Sequence, residues 1–314
     1  MVTLVTGAGL IGTAFARHAM KRGEHIVFLD PEPRQDFLRF KLGDSGYDLV
    51  RKDIRDLPGL IETIAAAKAT TVVHTAGLIG GRVQKSLANA FSINLGGSNN
   101  IAEAVRLTGV RRLVQVSTFG VYDPFIQPTG PIGEDFPRGG KRGYGNLKGA
   151  IELMLEAYAA QYGFELVMLR PANVYGYGHF SAGSTGGMKM QALLEAGLFN
   201  TKATIASAQT MATEYVYEDD VGIAVELAAT VAAPSRTTFN IGNGALTTFD
   251  ELVAAVKAVA PGFQCEVEPG DAPQSKAYPL DISQAEKGLG WKPQYSLLDG
   301  FQAFKAEIAR AGRL

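Results

Sequence analysis

Residues 2–12 read "VTLVTGAGLIG", a short apolar run followed at once by glycines at positions 7, 9 and 12. The amphipathic stretch "AFARHAMKRG" comes next, so a strand, a glycine turn and a helix succeed one another. In such a unit the first glycine permits the tight turn, the second lets the backbone approach a pyrophosphate, and the third allows close packing of helix on strand. The sequence therefore predicts a dinucleotide site at the start of this helix, formed by Gly7, Gly9, Leu10, Ile11 and Gly12.

More runs rich in β-branched residues alternate with amphipathic stretches along the first half of the chain. They lie at 25–30, 47–51, 70–75, 112–118 and 164–171. Strands that alternate with helices favour right-handed crossovers and a parallel sheet covered on both faces. We therefore expect an α/β fold, a Rossmann-like doubly wound parallel sheet with a smaller C-terminal α/β substrate lobe.

The spacing of the elements changes after Pro171, where a glycine-rich segment (176–187) intervenes. Capping boxes at Thr248–Glu251 and Ser283–Glu286 predict two helix starts beyond that segment, so this part of the chain is folded. We expect the dinucleotide-binding Rossmann domain to span 1–172 and the substrate lobe to span 173–314. Segments around 214–245 are expected to return to the Rossmann domain.

Composition excludes several classes of function. The 314 residues carry a formal net charge of −1, so no basic field is available for nucleic acid or anionic lipid. With Cys265 as the single cysteine and four histidines without ligand spacing, we expect no disulfide and no metal. No apolar run reaches the roughly 18 residues of a membrane span. Met1 leads directly into a strand without a signal peptide, so we expect a cytoplasmic protein.

Asp30 ends the second predicted strand, 18 residues after Gly12. A carboxylate at about this distance accepts hydrogen bonds from the ribose hydroxyls of a dinucleotide and repels a 2′-phosphate. The residue thus favours NAD over NADP as the cofactor, although Arg34, four residues on, could soften the preference.

The stretch "GYGNLKGAIE" (143–152) begins a helix with Tyr144 and Lys148 one turn apart on the same face. An ordinary phenol has a pKa of about 10, and a neighbouring ammonium is expected to lower it. Ser117 and Thr118 end the fifth strand, at the sheet edge where ligands of open α/β folds bind. A hydroxyl there would hold a substrate oxygen while Tyr144 transfers its proton. The preceding irregular loop (123–143) is expected to form a wall of the site.

These motifs together resemble an extended short-chain dehydrogenase/reductase of the NAD-dependent epimerase/dehydratase family. The similar stretches cover nearly the whole chain in the order that the family has them. They are "TGAGLIG", Asp30, "RKDIRD", "HTAGLIGGRVQKSL", "INLGGSNNIAEA", "VQVSTFGVY", "YGNLK", "LRPANVYG", "EYVYEDDVGIA" and "DISQAEKGLGWKPQYSLLDGF".

The resemblance implies roles for individual residues. Tyr144 matches the family's acid/base, Lys148 the residue that binds the nicotinamide ribose and tunes that tyrosine, and Thr118 the third member of the catalytic triad. Asn173 matches a position that often touches substrate. The expected cofactor-binding set is completed by an adenine-contacting pair and by segments next to the nicotinamide, namely Asp53, Ile54, Ala76, Gly77, Ser117, Pro171 and Val174. Asn94 and His74 are expected to be structural.

Two positions depart from the family pattern. Nucleotide-sugar members carry arginines where this chain has Thr213 and Glu268, and the loss of two guanidinium groups weakens the grip on a diphosphate. Arg82 and Arg142 are expected either to hold a small anionic or polyhydroxy substrate, with Arg138 and Lys141 in the same cluster as Arg142, or to lie in solvated loops.

Three functions remain in view. The first is an NAD-dependent oxidoreductase of a small sugar, sugar acid or polyol. The second is an NDP-sugar epimerase or dehydratase, similar to UDP-glucose 4-epimerase, that keeps its NAD through each cycle. The third, a non-catalytic NAD(H)-binding regulator, has no chemical need of a complete triad.

A homodimer is expected through the helices of 86–105 and 144–161, because the second carries apolar residues on more than one face.

Overall fold

A computed structural model describes residues 1–179, 184–271 and 277–314, so part of the glycine-rich segment (180–183) lies outside the described residues. All six predicted strands form, and later strands follow them. Their bounds are β1 Val2–Thr6, β2 His25–Leu29, β3 Tyr47–Val50, β4 Thr71–His74, β5 Arg112–Val116, β6 Glu165–Pro171, β7 Asn173–Tyr175, β8 Lys202–Ala206, β9 Tyr215–Tyr217, β10 Thr238–Ile241 and β11 Gln264–Glu268.

Helices alternate with these strands, and the longest, α7, carries the predicted catalytic pair. Their bounds are α1 Leu10–Lys21, α2 Gln35–Leu42, α3 Leu57–Ala67, α4 Gly81–Lys85, α5 Leu87–Ala90, α6 Gly97–Thr108, α7 Gly143–Tyr162, α8 Thr185–Leu198, α9 Glu218–Thr230, α10 Phe249–Val259, α11 Ser283–Leu289 and α12 Leu297–Arg310. A π-helical turn, Phe91–Gly96, joins α5 to α6.

The main sheet has seven strands in the order β10-β6-β5-β4-β1-β2-β3, and every neighbouring pair is parallel. The strand order reverses between β1 and β4, which opens a crevice at the carboxyl ends of these two strands. Helices α1 and α9 cover one face, and α3, α6 and α7 cover the other. The predicted α/β, Rossmann-like doubly wound fold is therefore confirmed.

The C-terminal part of the chain contributes to two units. The strand β10 pairs with β6 in the main sheet, whereas β7–β9 and β8–β11 form separate two-stranded sheets. Side chains from β7, β9, α8, α10 and α12 pack into a third apolar cluster, which includes Tyr175, Met190 and Phe301. The boundary between the Rossmann domain and the substrate lobe at residue 172 stays a prediction.

Of the two capping boxes predicted in the C-terminal part of the chain, one forms and the other does not. The box at Thr248–Glu251 forms as predicted. The box at Ser283–Glu286 is wrong, because Ser283 already lies inside α11, whose N-terminal cap is Ile282 without a side-chain bond. A box that the sequence reasoning missed, Ser296–Asp299, begins α12.

The described ranges contain neither a membrane-spanning helix nor a cluster of metal ligands. None of their helices is both long and apolar enough to cross a bilayer. They also contain no group of three His, Cys, Asp or Glu side chains placed to hold a metal ion.

Candidate active site

The glycine turn between β1 and α1 leaves no room for side chains at two of its positions. Gly7 has a φ of +89°, and a Cβ there would lie 2.8 Å from the Oγ1 of Thr75 and 2.9 Å from the amide nitrogen of Ala76. A Cβ on Gly12 would collide with the carbonyl oxygen of Gly7. Glycine is therefore required at both positions for α1 to pack this closely on the turn.

The amino end of α1 fits a dinucleotide pyrophosphate. Its cap residue is Gly9, which offers no side-chain bond to the first-turn amides, and a Cβ on Gly9 would meet nothing within 4 Å. Leu10 and Ile11 belong to that first turn. Free N–H groups, open space and the positive end of a helix are the features that bind phosphate. The residues present therefore suit NAD.

Thr75 holds the glycine turn in place, and the sequence reasoning did not single it out. Its hydroxyl lies 2.8 Å from the carbonyl oxygen of Thr6 and 3.1 Å from that of Gly7. The available signal was its position in "HTAG", at the carboxyl end of the strand beside β1. Ala76 and Gly77 follow directly, so the predicted contact segment after β4 borders the glycine turn.

Asp30 is tied to the same turn. One carboxylate oxygen accepts a hydrogen bond from the amide of Ala8 at 2.9 Å, and the other accepts one from the amide of Glu32 at 2.9 Å. The predicted ribose-binding carboxylate thus lies beside the predicted pyrophosphate site.

The predicted adenine-contacting pair divides between two environments. Arg55 donates two side-chain hydrogen bonds to Asp53, at 3.0 and 2.7 Å, and these hold the pKa of that carboxyl below its usual range. Ile54 is buried and packs against Gly97, where a Cβ would collide with it. Because the Ile54 side chain is part of the core, an adenine contact at this position falls to the backbone.

The first turn of α7 docks on the turn that follows β5. Gly145 lies so close to the carbonyl of Gly120 that a Cβ would not fit. The hydroxyl of Thr118 accepts a hydrogen bond from the amide of Gly120 at 3.1 Å. Further along α7, Lys148 donates to the carbonyl oxygen of Val116 at 3.0 Å, so its ammonium lies at the end of β5. The structure thus brings Thr118 and the Tyr144–Lys148 face of α7 to one strand end.

The expected effect of Lys148 on Tyr144 is not what the structure shows. Burial raises the pKa of Tyr144 above its ordinary value, and no charge on the described residues offsets that rise. Burial also lowers the pKa of Lys148 to about 8, against an opposing effect from the carboxylate of Glu152. In the protein without cofactor, desolvation favours the neutral phenol; the lowering expected when the nicotinamide charge is also present stays a prediction.

Glu152 on α7 carries a buried carboxylate that accepts hydrogen bonds from three residues. It receives two hydrogen bonds from Arg170, at 3.0 and 2.7 Å, and one from the hydroxyl of Ser117 at 2.5 Å. Arg138 donates to it at 3.0 Å and also binds Glu156. The hydroxyl of Ser117 and the guanidinium of Arg138 are thus engaged inside the protein. Of the two adjacent hydroxyls, that of Ser117 is thus bound to Glu152, and Arg138 is paired with carboxylates instead of joining the expected anion-binding cluster.

The predicted substrate contact Asn173 follows β6. Its side-chain amide donates to the hydroxyl of Thr213 and to the carbonyl oxygen of Glu214, both at 3.0 Å. Pro171 and Val174 on either side are buried. The structure therefore joins a predicted substrate contact to one of the two positions that lack an arginine.

The remaining predicted substrate residues lie at the surface. Arg82 is exposed on α4, which contacts α7, and Arg142 is exposed immediately before α7 begins. Glu268 is exposed at the end of β11. His74 and Asn94 are buried with hydrogen-bond partners inside the protein, as expected for structural residues.

Comparison with known proteins gives relatives over the full length of the chain. A UDP-glucose 4-epimerase of Mycolicibacterium smegmatis is 33% identical over 313 residues, which cover 96% of each chain. Among solved structures, the UDP-glucose 4-epimerase of Thermotoga maritima with UDP-glucose superposes with a TM-score of 0.88 at 25% identity and 99% coverage of both chains. The UDP-glucose 4-epimerase of Thermus thermophilus, in complex with NAD, gives 0.84 at 28% identity, with 98% and 99% coverage.

The family model described as "NAD dependent epimerase/dehydratase family" matches residues 3–242. This range contains the glycine turn, Asp30, Thr118 and the Tyr144–Lys148 pair, and it confirms the predicted cofactor. The chain belongs to the NAD-dependent epimerase/dehydratase family, as an NAD-dependent enzyme of the extended short-chain dehydrogenase/reductase type.

Proposed function

We propose that this protein is an NDP-sugar epimerase that inverts a carbinol carbon of a nucleotide-linked hexose, as a UDP-glucose 4-epimerase does. The observation that carries the proposal is the end-to-end match to a relative of that name, at 33% identity, with Thr118, Tyr144 and Lys148 all present. The sequence alone favours a small-sugar dehydrogenase over an NDP-sugar epimerase, whereas the similarity to named epimerases supports the second function better.

In the proposed reaction, Tyr144 takes the proton of the sugar hydroxyl and later returns one to the carbonyl oxygen. The Thr118 hydroxyl hydrogen-bonds the same oxygen and holds it near the phenol. When bound, NAD supplies the acceptor, and afterwards the donor, of the hydride. Because burial favours the neutral phenol, the phenolate has to be stabilised when substrate and NAD are bound, and we assign that role to the Lys148 ammonium one turn along α7. Inversion requires the sugar ring to turn between the two hydride transfers.

A second candidate, oxidation of a small sugar, sugar acid or polyol with release of NADH, is favoured by one specific observation. Thr213 is hydrogen-bonded to Asn173, and Glu268 is exposed at the end of β11, so neither position offers a guanidinium to a diphosphate. A carboxylate at position 268 would repel a diphosphate brought close to it.

The two candidates differ in their products. With UDP-glucose and NAD, we expect proton NMR to show UDP-galactose forming toward a fixed ratio, while absorbance at 340 nm stays flat. Absence of interconversion, together with NADH accumulation from free glucuronate or another sugar acid, would contradict the epimerase and establish the dehydrogenase. Boiled protein serves as the control for spontaneous change.

We also propose a homodimer through the helices around 86–105 and 144–161. Exposed apolar side chains lie on this surface, including Leu87, Phe91, Leu153 and Tyr162. Apolar side chains in such number on one surface are typical of an interface.

Introducing a charge tests that interface. We expect the wild type to elute as a dimer in size-exclusion chromatography with light scattering, and Leu153→Glu to elute as a monomer, because a buried unpaired carboxylate opposes association. Leu298→Glu, on an exposed leucine of α12, is the matched control and should stay dimeric. A monomeric wild type would rule out the dimer.

A further inference from the structure

Lys189 is a half-buried lysine on α8 that has no counter-ion among the described residues. Its ammonium donates to the carbonyl oxygen of Gln209 at 3.0 Å and lies 5.6 Å from the ring centroid of Tyr215. Burial lowers the pKa of this lysine, and no carboxylate in those same ranges opposes that effect. The stretches outside them, 180–183 and 272–276, contain no Asp or Glu. A partly desolvated cation with no anionic partner is costly to keep in a fold.

A second polar group beside Lys189 also lacks a partner. Tyr215 is only 2% exposed, and within the described part of the chain its buried hydroxyl oxygen has no hydrogen bond. Buried hydroxyl groups nearly always find a partner, because leaving one unpaired loses the hydrogen bonds it made to water. The ammonium, which has a carbonyl partner but no counter-ion, and the unpaired hydroxyl belong to adjacent side chains, and both can donate hydrogen bonds to an oxyanion.

This position is continuous with the substrate side of the active site. In the β7–β9 pair, Tyr215 lies opposite Asn173, the predicted substrate contact. Gly186, one turn before Lys189 on α8, packs so closely against the Asn173 amide that a Cβ would collide with it. A ligand group held by Lys189 would thus belong to a molecule that also reaches Asn173.

Lys189 also lies among the positions where the arginines are missing. Thr213 is two residues before Tyr215 and is hydrogen-bonded to Asn173. Gln209, which accepts from Lys189, follows β8 closely, and the last residue of β8 pairs with Glu268 in β11. A cation at this place can bind the anionic substrate group that arginines hold in the nucleotide-sugar members of the family, and so replace the two guanidinium groups that this chain lacks.

We propose that Lys189 and the Tyr215 hydroxyl form an anion-binding subsite for an oxyanion of the substrate, either a phosphate or a carboxylate. The proposal rests on the proposed function in one respect: the substrate is a sugar derivative that occupies the Asn173 side of the cleft. The ammonium supplies the charge, the phenol donates one directional hydrogen bond, and the half-buried setting strengthens both interactions.

The test is isothermal titration of the NAD-saturated protein with UDP and, separately, with glucuronate. We expect Lys189→Met to raise the Kd of whichever ligand binds by about 10-fold or more, since hydrogen bonds to charged groups contribute at this level. Lys189→Arg should retain most of the affinity, and Tyr215→Phe should lose part of it. Lys202→Met, which removes an exposed lysine paired with Glu266, is the matched control and should bind like the wild type.

The two ligands separate the possible sources of the oxyanion. Binding of UDP, weakened in Lys189→Met, assigns the subsite to phosphate. Binding of glucuronate alone, weakened in the same way, assigns it to carboxylate and leaves the subsite intact while the nucleotide-sugar function fails. Equal affinities in the wild type and Lys189→Met, or no binding of either ligand by the wild type, would overturn the subsite. Thermal melting verifies that each variant is folded.

Discussion

Replacing Tyr144 by Phe lowers turnover by about 10²- to 10⁴-fold, the range that a positioned acid/base contributes. The change removes only the phenolic oxygen and leaves the ring in the first turn of α7. NAD affinity should remain close to that of the wild type, because the glycine turn and Asp30 lie on other elements. Steady-state kinetics on the active sugar and titration of NAD measure the two quantities separately.

The control for this experiment lies on the same helix. Tyr162 is exposed at the far end of α7, so Tyr162→Phe should turn over like the wild type. Unchanged turnover in Tyr144→Phe would remove this tyrosine from the mechanism. If neither the wild type nor Tyr144→Phe showed any detectable reaction, the result would favour the third function, an NAD(H)-binding regulator.

The second large effect is expected from Arg170→Met. The Arg170 guanidinium is 2% exposed and forms two hydrogen bonds to the fully buried carboxylate of Glu152. It also donates to the hydroxyl of Tyr122 and the carbonyl oxygen of Glu134. Removing one partner of a buried ion pair costs about 3–5 kcal/mol, because the other charge stays buried. The melting temperature should fall on the order of 10 °C.

Two further variants identify the cause of that loss. Arg106→Met breaks an exposed pair with Glu103 on α6 and should leave the melting temperature close to that of the wild type, because exposed ion pairs contribute little to stability. The double variant Arg170→Met with Glu152→Gln should recover part of the stability, because it also removes the stranded carboxylate charge. A melting temperature of Arg170→Met equal to that of the wild type would show that Arg138 and Ser117 alone satisfy Glu152.

The sequence was sufficient for the parts of the fold that depend on local pattern. Six strands of the main sheet were predicted from β-branched runs, and the glycine turn was placed by its spacing. The sequence predicts that the segment around 214–245 returns to this domain, but not which strand it pairs with, because the place of β10 beside β6 depends on packing between distant parts of the chain. The predicted box at Ser283 does not form, because Ser283 lies inside α11 and its amide donates to the carboxylate of Asp281 at 2.9 Å.

In the candidate site, too, the features set by local pattern could be predicted, whereas those set by tertiary packing could not. Sequence placed Thr118, Tyr144 and Lys148 together, but it could not tell which of two adjacent hydroxyls faces the ligand. The direction of the Ser117 side chain is fixed by Glu152, 35 residues later. The opposing effect of desolvation on the Tyr144 pKa could not be predicted either, because charge spacing can be counted along a helix whereas desolvation depends on the elements packed around it.

The return of β10 to the main sheet limits how this molecule can be divided. A fragment that stopped after β6 would end with that strand as a bare edge, its backbone groups unpaired and ready to join another chain. It would also lack α9, which covers α1. Cutting the chain after β6 therefore yields a fragment prone to association and not an independent module, and an exchange of the complete main sheet with a relative has to include two separate stretches of the chain.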